Sequence, residues 1–127
     1  LKEINLIEMS SKERNDAMNE VRLLSMLDHK NIISYYDSFI LNGSLNIVME
    51  YANAGDIHLE IKKRTLQNKT FSEFEILSWF TQICEAIQFI FTKNILHRDL
   101  KTQNIFLSIV DGNYYIKIGD FGIAKIL

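Results

Sequence analysis

A chain of 127 residues with 47% hydrophobic and 24% charged residues has the size and balance of one globular domain. Its formal net charge of −2 gives no reason to expect nucleic acid or an anionic membrane as partner. No apolar run reaches the length of a membrane span, and no signal-peptide pattern opens the chain.

The single cysteine, Cys84, has no internal disulfide partner, so a reducing cytosolic setting is the default expectation. Both ends read as cut. Leu1 enters directly into a strand pattern, and apolar Ile126 and Leu127 close the chain. Proline is absent, against an average usage of about 5%.

Residues 1–7, L-K-E-I-N-L-I, alternate in part between apolar and polar and predict a strand. Ser10-Ser11-Lys12-Glu13 fits the S-x-x-E capping box and opens a helix from about Lys12 to Leu27, with Ala17, Val21, Leu24 and Leu27 at helical spacing. Asp28 to Asn31 breaks that pattern. Ile32 to Ile40 and Leu45 to Tyr51 then read as two strands joined through Asn42-Gly43, a hairpin signal because both residues tolerate positive φ.

Strand character stops at the small-residue link Ala52-Asn53-Ala54-Gly55-Asp56. A short helix from Asp56 to about Arg64 follows, and its basic end Lys62-Lys63-Arg64 reads as a solvated face at a helix C-terminus. Thr65 to Thr70 is a polar loop. Ser72-Glu73-Phe74-Glu75 is a second capping box, and its helix runs to about Thr92. Apolar residues go most of the way round that helix, which predicts burial on several sides; Trp79 and Cys84 are assigned to the core. Ile105 to Leu107 and Tyr114 to Ile118 form another hairpin around Asp111-Gly112. The element types together predict an α+β fold.

One run stands out: His97-Arg98-Asp99-Leu100-Lys101-Thr102-Gln103-Asn104, with Asp120-Phe121-Gly122 sixteen residues beyond Asn104. Seven fixed residues arise by chance about once in 10⁹ starts at about 5% usage each. The pattern resembles the catalytic loop and metal-binding turn of protein kinases. Such a site holds two oxygens in line and neutralises phosphate charge. The resemblance implies that Asp99 aims the substrate hydroxyl and that Lys101 meets the γ-phosphate, as in Ser/Thr rather than Tyr kinases. It implies that Asn104 and Asp120 hold Mg²⁺, a hard cation that takes oxygen ligands.

The likeness then extends over the chain, from the third strand of the small lobe to just past D-F-G. It implies a partial bilobal kinase fold, with residues 1–49 in the small lobe, 50–56 as hinge and 57–127 in the large lobe. Lys2 is implied as the lysine on the ATP α- and β-phosphates, with Glu20, eighteen residues on, as its partner. Met49 resembles the residue at the back of the adenine pocket. Glu50, Tyr51 and Ala52 would offer hinge backbone to the adenine edge, Asp56 would face the ribose, and Phe106 would lie under the ring. Leu24, Tyr35, His97 and Phe121 would stack into an apolar column.

K-E-I-N, N-G-S-L-N-I-V-M-E-Y, L-S-W-F-T-Q-I-C, I-L-H-R-D-L-K-T-Q-N-I-F-L and I-G-D-F-G-I-A-K-I-L, with Gly119 before Asp120, resemble the NIMA-related Ser/Thr kinases. That family implies ATP and Mg²⁺ as cofactors and a protein Ser/Thr hydroxyl as substrate. It implies a cytoplasmic setting with cytoskeletal, centrosomal or ciliary association.

Lys30 and Thr102 stand where kinases usually carry proline. Asn53-Ala54 replaces an acidic-Gly pair, and the turn at Asp111 reads as longer than usual. The Gly-rich loop is expected ahead of Leu1, and the activation loop, the A-P-E motif and the rest of the large lobe after Leu127; a later helix there would normally pack on the 72–92 helix, whose apolar surface would otherwise lie exposed. The alternatives to a kinase are a scaffold of the same fold without transfer and an inactive truncated product.

Overall fold

The computed structural model describes residues 1–121 and 124–127; Gly122 and Ile123, the former part of the D-F-G turn, lie outside the described residues. Strand β1 (Lys2–Asn5) leads into helix α1 (Ser11–Ser25). Ser10 caps the helix, accepting from the Glu13 N–H at 3.2 Å, while the Glu13 carboxylate accepts from the Ser10 N–H at 3.0 Å. Two N-terminal donors are thereby satisfied reciprocally, as the capping box predicts. Strands β2 (Tyr35–Leu41) and β3 (Ser44–Met49) form the expected hairpin. Asn42 and Gly43 have φ of 50° and 76°, and a Cβ on Gly43 would meet Ile7 Cγ1 at 2.6 Å, so the turn requires glycine there. The sheet order is β1-β3-β2, all antiparallel.

The second strand starts later than Ile32. Ile32 and Ile33 are buried but point the chain elsewhere: Ile33 N–H donates to Ile118 O at 2.9 Å, and Ile118 N–H to Asn31 O at 2.8 Å. This linker therefore docks on the later hairpin before β2 begins. Asn31 secures it further, donating through Nδ2 to Gln82 Oε1 and Ile116 O, each at 3.0 Å. His29 accepts the Asn31 N–H on Nδ1 at 3.0 Å; burial, with Lys30 nearby, holds its imidazole below the ordinary value.

Beyond the link come α2 (Ile57–Leu66) and α3 (Glu73–Thr92), capped by Asp56 and by the Ser72/Glu75 capping box. Helix α2 runs to Leu66, two residues into the expected loop. Arg64 is not on a solvated face. Its guanidinium bonds Glu60 at 3.0 Å and grips Glu75 at 2.6 and 2.9 Å. It also lies 4.1 Å over the Phe71 ring. Lys62 and Lys63 are exposed as expected. The difference is one of phase: Arg64 sits one turn after Glu60, on the face that meets α3.

Helix α3 buries Trp79, Ala86 and Ile90. Its opposite stripe, with Leu77, Phe80, Ile87 and Phe91, is exposed. Cys84 lies in that stripe and is exposed, which corrects its assignment to the core. Strands β5 (Ile105–Val110) and β6 (Asn113–Ile118) pair over six residues on each side. Asp111 and Gly112, with φ of 52° and 79°, make a two-residue turn between the paired Val110 and Asn113, so the turn itself is not the longer one expected. Short β4 (Ile95–Leu96) and β7 (Lys125–Ile126) pair with each other. One apolar cluster joins α1, β3, α3 and the β5–β6 hairpin through Leu23, Ile47, Ala86, Leu107, Ile116 and Phe121.

Candidate active site

A cleft of about 510 Å³ opens between the β1–β3 sheet with α1 and the segment that carries β5 and β6. Lys2 and Glu20 line it from one side, Asp120 and Phe106 from the other. Met49 to Ala52 and then Gly55-Asp56 form its end wall. Nine of the residues expected to act in catalysis or to bind nucleotide or metal thus share one cavity, with Leu24 of the expected apolar column beside them.

The Lys2 ammonium lies 2.7 Å from Glu20 Oε1 and 3.9 Å from Asp120 Oδ1. Glu20 is only 4% exposed, and a carboxylate so buried needs a cation. Strand β1 supplies the lysine because alternation turns Lys2 and Ile4 to one face; α1 supplies the glutamate from the turn that buries Leu23 and Leu24.

Asp99, Lys101 and Asn104 stand together just outside the cleft lining. Asn104 Nδ2 donates to the Asp99 carbonyl at 2.9 Å and to its Oδ2 at 3.0 Å; Lys101 Nζ lies 3.4 Å from Asp99 Oδ1. Both Asn104 bonds run to acceptors, which fixes the amide with its nitrogen toward Asp99 and leaves its oxygen as the donor for a cation. The loop is tied to the segment before Asp120 by Gly119 N–H donating to Asn104 O at 3.1 Å. His97 bonds Gly119 O through Nε2 at 2.8 Å, and its Nδ1 accepts the Asp99 N–H at 3.2 Å. A carbonyl on one nitrogen and an N–H on the other specify the neutral Nε2–H tautomer.

His97 also packs on Phe121, with ring centroids 4.8 Å apart. Leu24 and Phe121 share the buried cluster, and Tyr35 packs against it while its hydroxyl meets Ser38 Oγ at 3.0 Å. Arg98 and Asp120 have φ of 68° and 54°, a left-handed conformation that costs a side-chain-bearing residue energy. Both fall in the two motifs rather than in a hairpin turn or at a helix end.

The end wall is more tightly built than its sequence suggests. Glu50 N–H donates to Ser34 O at 2.8 Å. Its carboxylate accepts the Ser34 N–H at 3.0 Å and pairs with Lys117 at 2.9 Å. The Glu50 side chain therefore braces the hinge. Tyr51 is 84% exposed. Asp56 lines the cleft but also caps α2, accepting the Leu59 N–H at 2.9 Å. Lys117, Ser34 and Gly119 were not among the expected site residues. The hairpin register carries the signal for Lys117, since it pairs with Phe106 and so shares the cleft face.

Among the described residues, no cluster of three or more His, Cys, Asp or Glu is placed to hold a metal by itself. Asp120 with its carboxylate and Asn104 with its amide oxygen would be the residues to hold Mg²⁺, a hard cation that takes oxygen ligands. Protein kinases as a family use ATP with Mg²⁺.

Comparison with known proteins shows the family of the chain. The protein kinase domain matches residues 1–127. The probable serine/threonine-protein kinase nek3 of Dictyostelium discoideum is 82% identical over the whole chain, which covers 11% of that protein. Serine/threonine-protein kinase Nek1 of Mus musculus is 46% identical over the whole chain and 10% of its own length. Nek8 of Danio rerio is 47% identical, with 18% of its length covered. The chain spans about a tenth to a fifth of the length of the curated relatives it matches. Because the match leaves no part of the 127 residues outside it, the chain belongs to the protein kinase domain family and, within it, to the NIMA-related serine/threonine kinases.

Proposed function

We propose that the protein carrying this chain transfers the γ-phosphoryl group of ATP to Ser or Thr hydroxyls of a protein substrate. The observation that supports this most is the placing of Lys2, Glu20 and Asp120 in one cleft, with Nζ 2.7 Å from Glu20 and 3.9 Å from Asp120. In this reading Glu20 holds Lys2 where it meets the α- and β-phosphates. The Glu50 carbonyl and the backbone groups of Tyr51 and Ala52 orient the base, Met49 closes the pocket behind it, and Phe106 lies beneath it. Bound Mg²⁺ supplies charge neutralisation at the phosphates, and Asp120 and Asn104 offer the oxygens that hold it. Asp99, fixed by Asn104, accepts the hydrogen bond of the substrate hydroxyl and aims its oxygen; Lys101, 3.4 Å from Asp99, offsets negative charge beside it.

The test is phosphoryl transfer from labelled ATP by the full-length protein. Asp120→Asn and Asp99→Asn are each expected to lower kcat by about 10²–10³-fold or more, the scale of losing one preorganised charge-stabilising group. If Asp120→Asn transfers phosphate at the wild-type rate, the metal assignment fails. A scaffold that binds but does not transfer would show a Tm raised by ATP and Mg²⁺ without label incorporation. In the same reading the protein works in the cytoplasm, near cytoskeletal, centrosomal or ciliary structures, which imaging of a fluorescent fusion checks.

A further inference from the structure

Gly119 lines the cleft beside Phe106 and Ile33. A Cβ built on it would lie 2.7 Å from Phe106 Cε2, 3.0 Å from Phe106 Cδ2 and 3.2 Å from Ile33 Cγ1. The first distance is shorter than side chains tolerate, so a methyl group here must displace something. The Gly119 backbone is held on both sides, through its N–H to Asn104 O at 3.1 Å and its carbonyl to His97 Nε2 at 2.8 Å. Ile33 is 5% exposed, and its N–H is fixed to Ile118 O. The backbone of Phe106 is fixed between Lys117 and Asp56. What remains free to move is the Phe106 ring, and the open volume it adjoins is the cleft.

We propose that Gly119 is the positioning residue for the nucleobase. Its missing Cβ lets the Phe106 ring lie back from the volume that a planar purine occupies. A larger residue at 119 tips that ring into the cleft and closes the space. An aromatic floor at 106 and a glycine at 119 are then one unit: the glycine is needed because the floor is a wide, flat ring. A leucine at 106, narrower and freer to change rotamer, removes the need. This inference rests on the nucleotide reading of the cleft.

The test is a double-mutant cycle on the full-length protein. Four proteins are compared: wild type, Gly119→Ala, Phe106→Leu and the double variant. Affinity for a non-hydrolysable adenine nucleotide with Mg²⁺ is read by titration calorimetry. Gly119→Ala is expected to weaken binding about tenfold in the wild-type background. In the Phe106→Leu background the same substitution is expected to cost less than twofold. Equal losses in both backgrounds, or no loss in either, overturn the proposal while leaving nucleotide binding intact. A wild-type protein that binds no adenine nucleotide overturns the nucleotide reading itself, and the proposal with it. Ligand-free unfolding midpoints guard against a trivial folding loss. If Gly119→Ala fails to fold, the double variant decides: recovered folding and binding support the pair, and continued loss overturns it.

Discussion

Asn53 grips Ile109 from both sides, accepting its N–H at 2.7 Å and donating to its carbonyl at 3.2 Å. One amide side chain thus acts as an extra rung between the hinge segment and β5, in line with the bonds from Ala54 N–H to Leu107 O and from Leu107 N–H to Gly55 O. This gives a physical reason for the departure from an acidic residue at 53. A carboxylate can accept from the N–H but has nothing to donate to the carbonyl, and it repels that oxygen. Asn53→Asp is therefore expected to lose about 1 kcal/mol of unfolding free energy, read by urea denaturation at neutral pH. No change would show that the rung is not formed in solution. The same scale shows what residue identity alone conveys. Lys2, Glu20, Asp99 and Asp120 could be named because their types and spacing are distinctive. Glu50 was assigned to the hinge, but not its bonds to Ser34 and Lys117, because those cross three segments whose meeting no local pattern encodes.

Helices and strands were legible wherever a local signal set their ends. Both capping boxes and both two-residue turns fall where Ser10, Ser72, Asn42-Gly43 and Asp111-Gly112 put them. The helix end near Arg64 was misplaced because a tertiary contact, not a local one, decides it. Arg64 joins α2 to α3 through Glu75 and stacks on Phe71, with Trp79 behind at 5.7 Å. Its two parallel bonds to one carboxylate hold the Glu75 carboxyl below its ordinary value of 4.5, with help from the Ser72 N–H. The sign follows directly. The unfolded chain takes up the proton first as pH falls, so this pair stabilises fully above about pH 4.5 and less and less as pH drops through the lower folded value. Urea midpoints measured from pH 7 down to pH 3 should fall across that window, and Glu75→Gln should flatten the fall while keeping the Ser72 cap. Arg64→Lys keeps the charge but loses the fork and the stacking, and is expected to cost about 1–2 kcal/mol. An unchanged midpoint in Arg64→Lys would mean that charge alone holds the two helices.

At the scale of the whole molecule, α3 carries the uncovered apolar surface that the sequence leads one to expect, but Cys84 lies in that surface and not in the core. Apolar residues lie on opposite sides of it for two different reasons. Trp79, Ala86 and Ile90 are buried where α3 packs on β6 and β4. Leu77, Phe80, Ile87 and Phe91 run along the other side at 56%, 62%, 40% and 67% exposure, with Cys84 among them. Periodicity marks both stripes as apolar but does not say which neighbour each one meets, and this is why Cys84 was assigned to the wrong surroundings. A contiguous apolar stripe of this length lowers its free energy by leaving water, at about 25 cal/mol per Å² removed. Two copies of the 127-residue chain can achieve that by apposing their α3 helices. The chain on its own is therefore expected to self-associate at micromolar concentration, seen as a rising weight-average mass in sedimentation equilibrium. Phe80→Lys with Phe91→Lys places charge on the stripe without touching the buried side, so it should shift that association at least tenfold toward monomer while the helical circular dichroism stays the same. A monomeric wild-type chain over the same range would mean that the stripe is too curved or too polar at its margins to pair with itself.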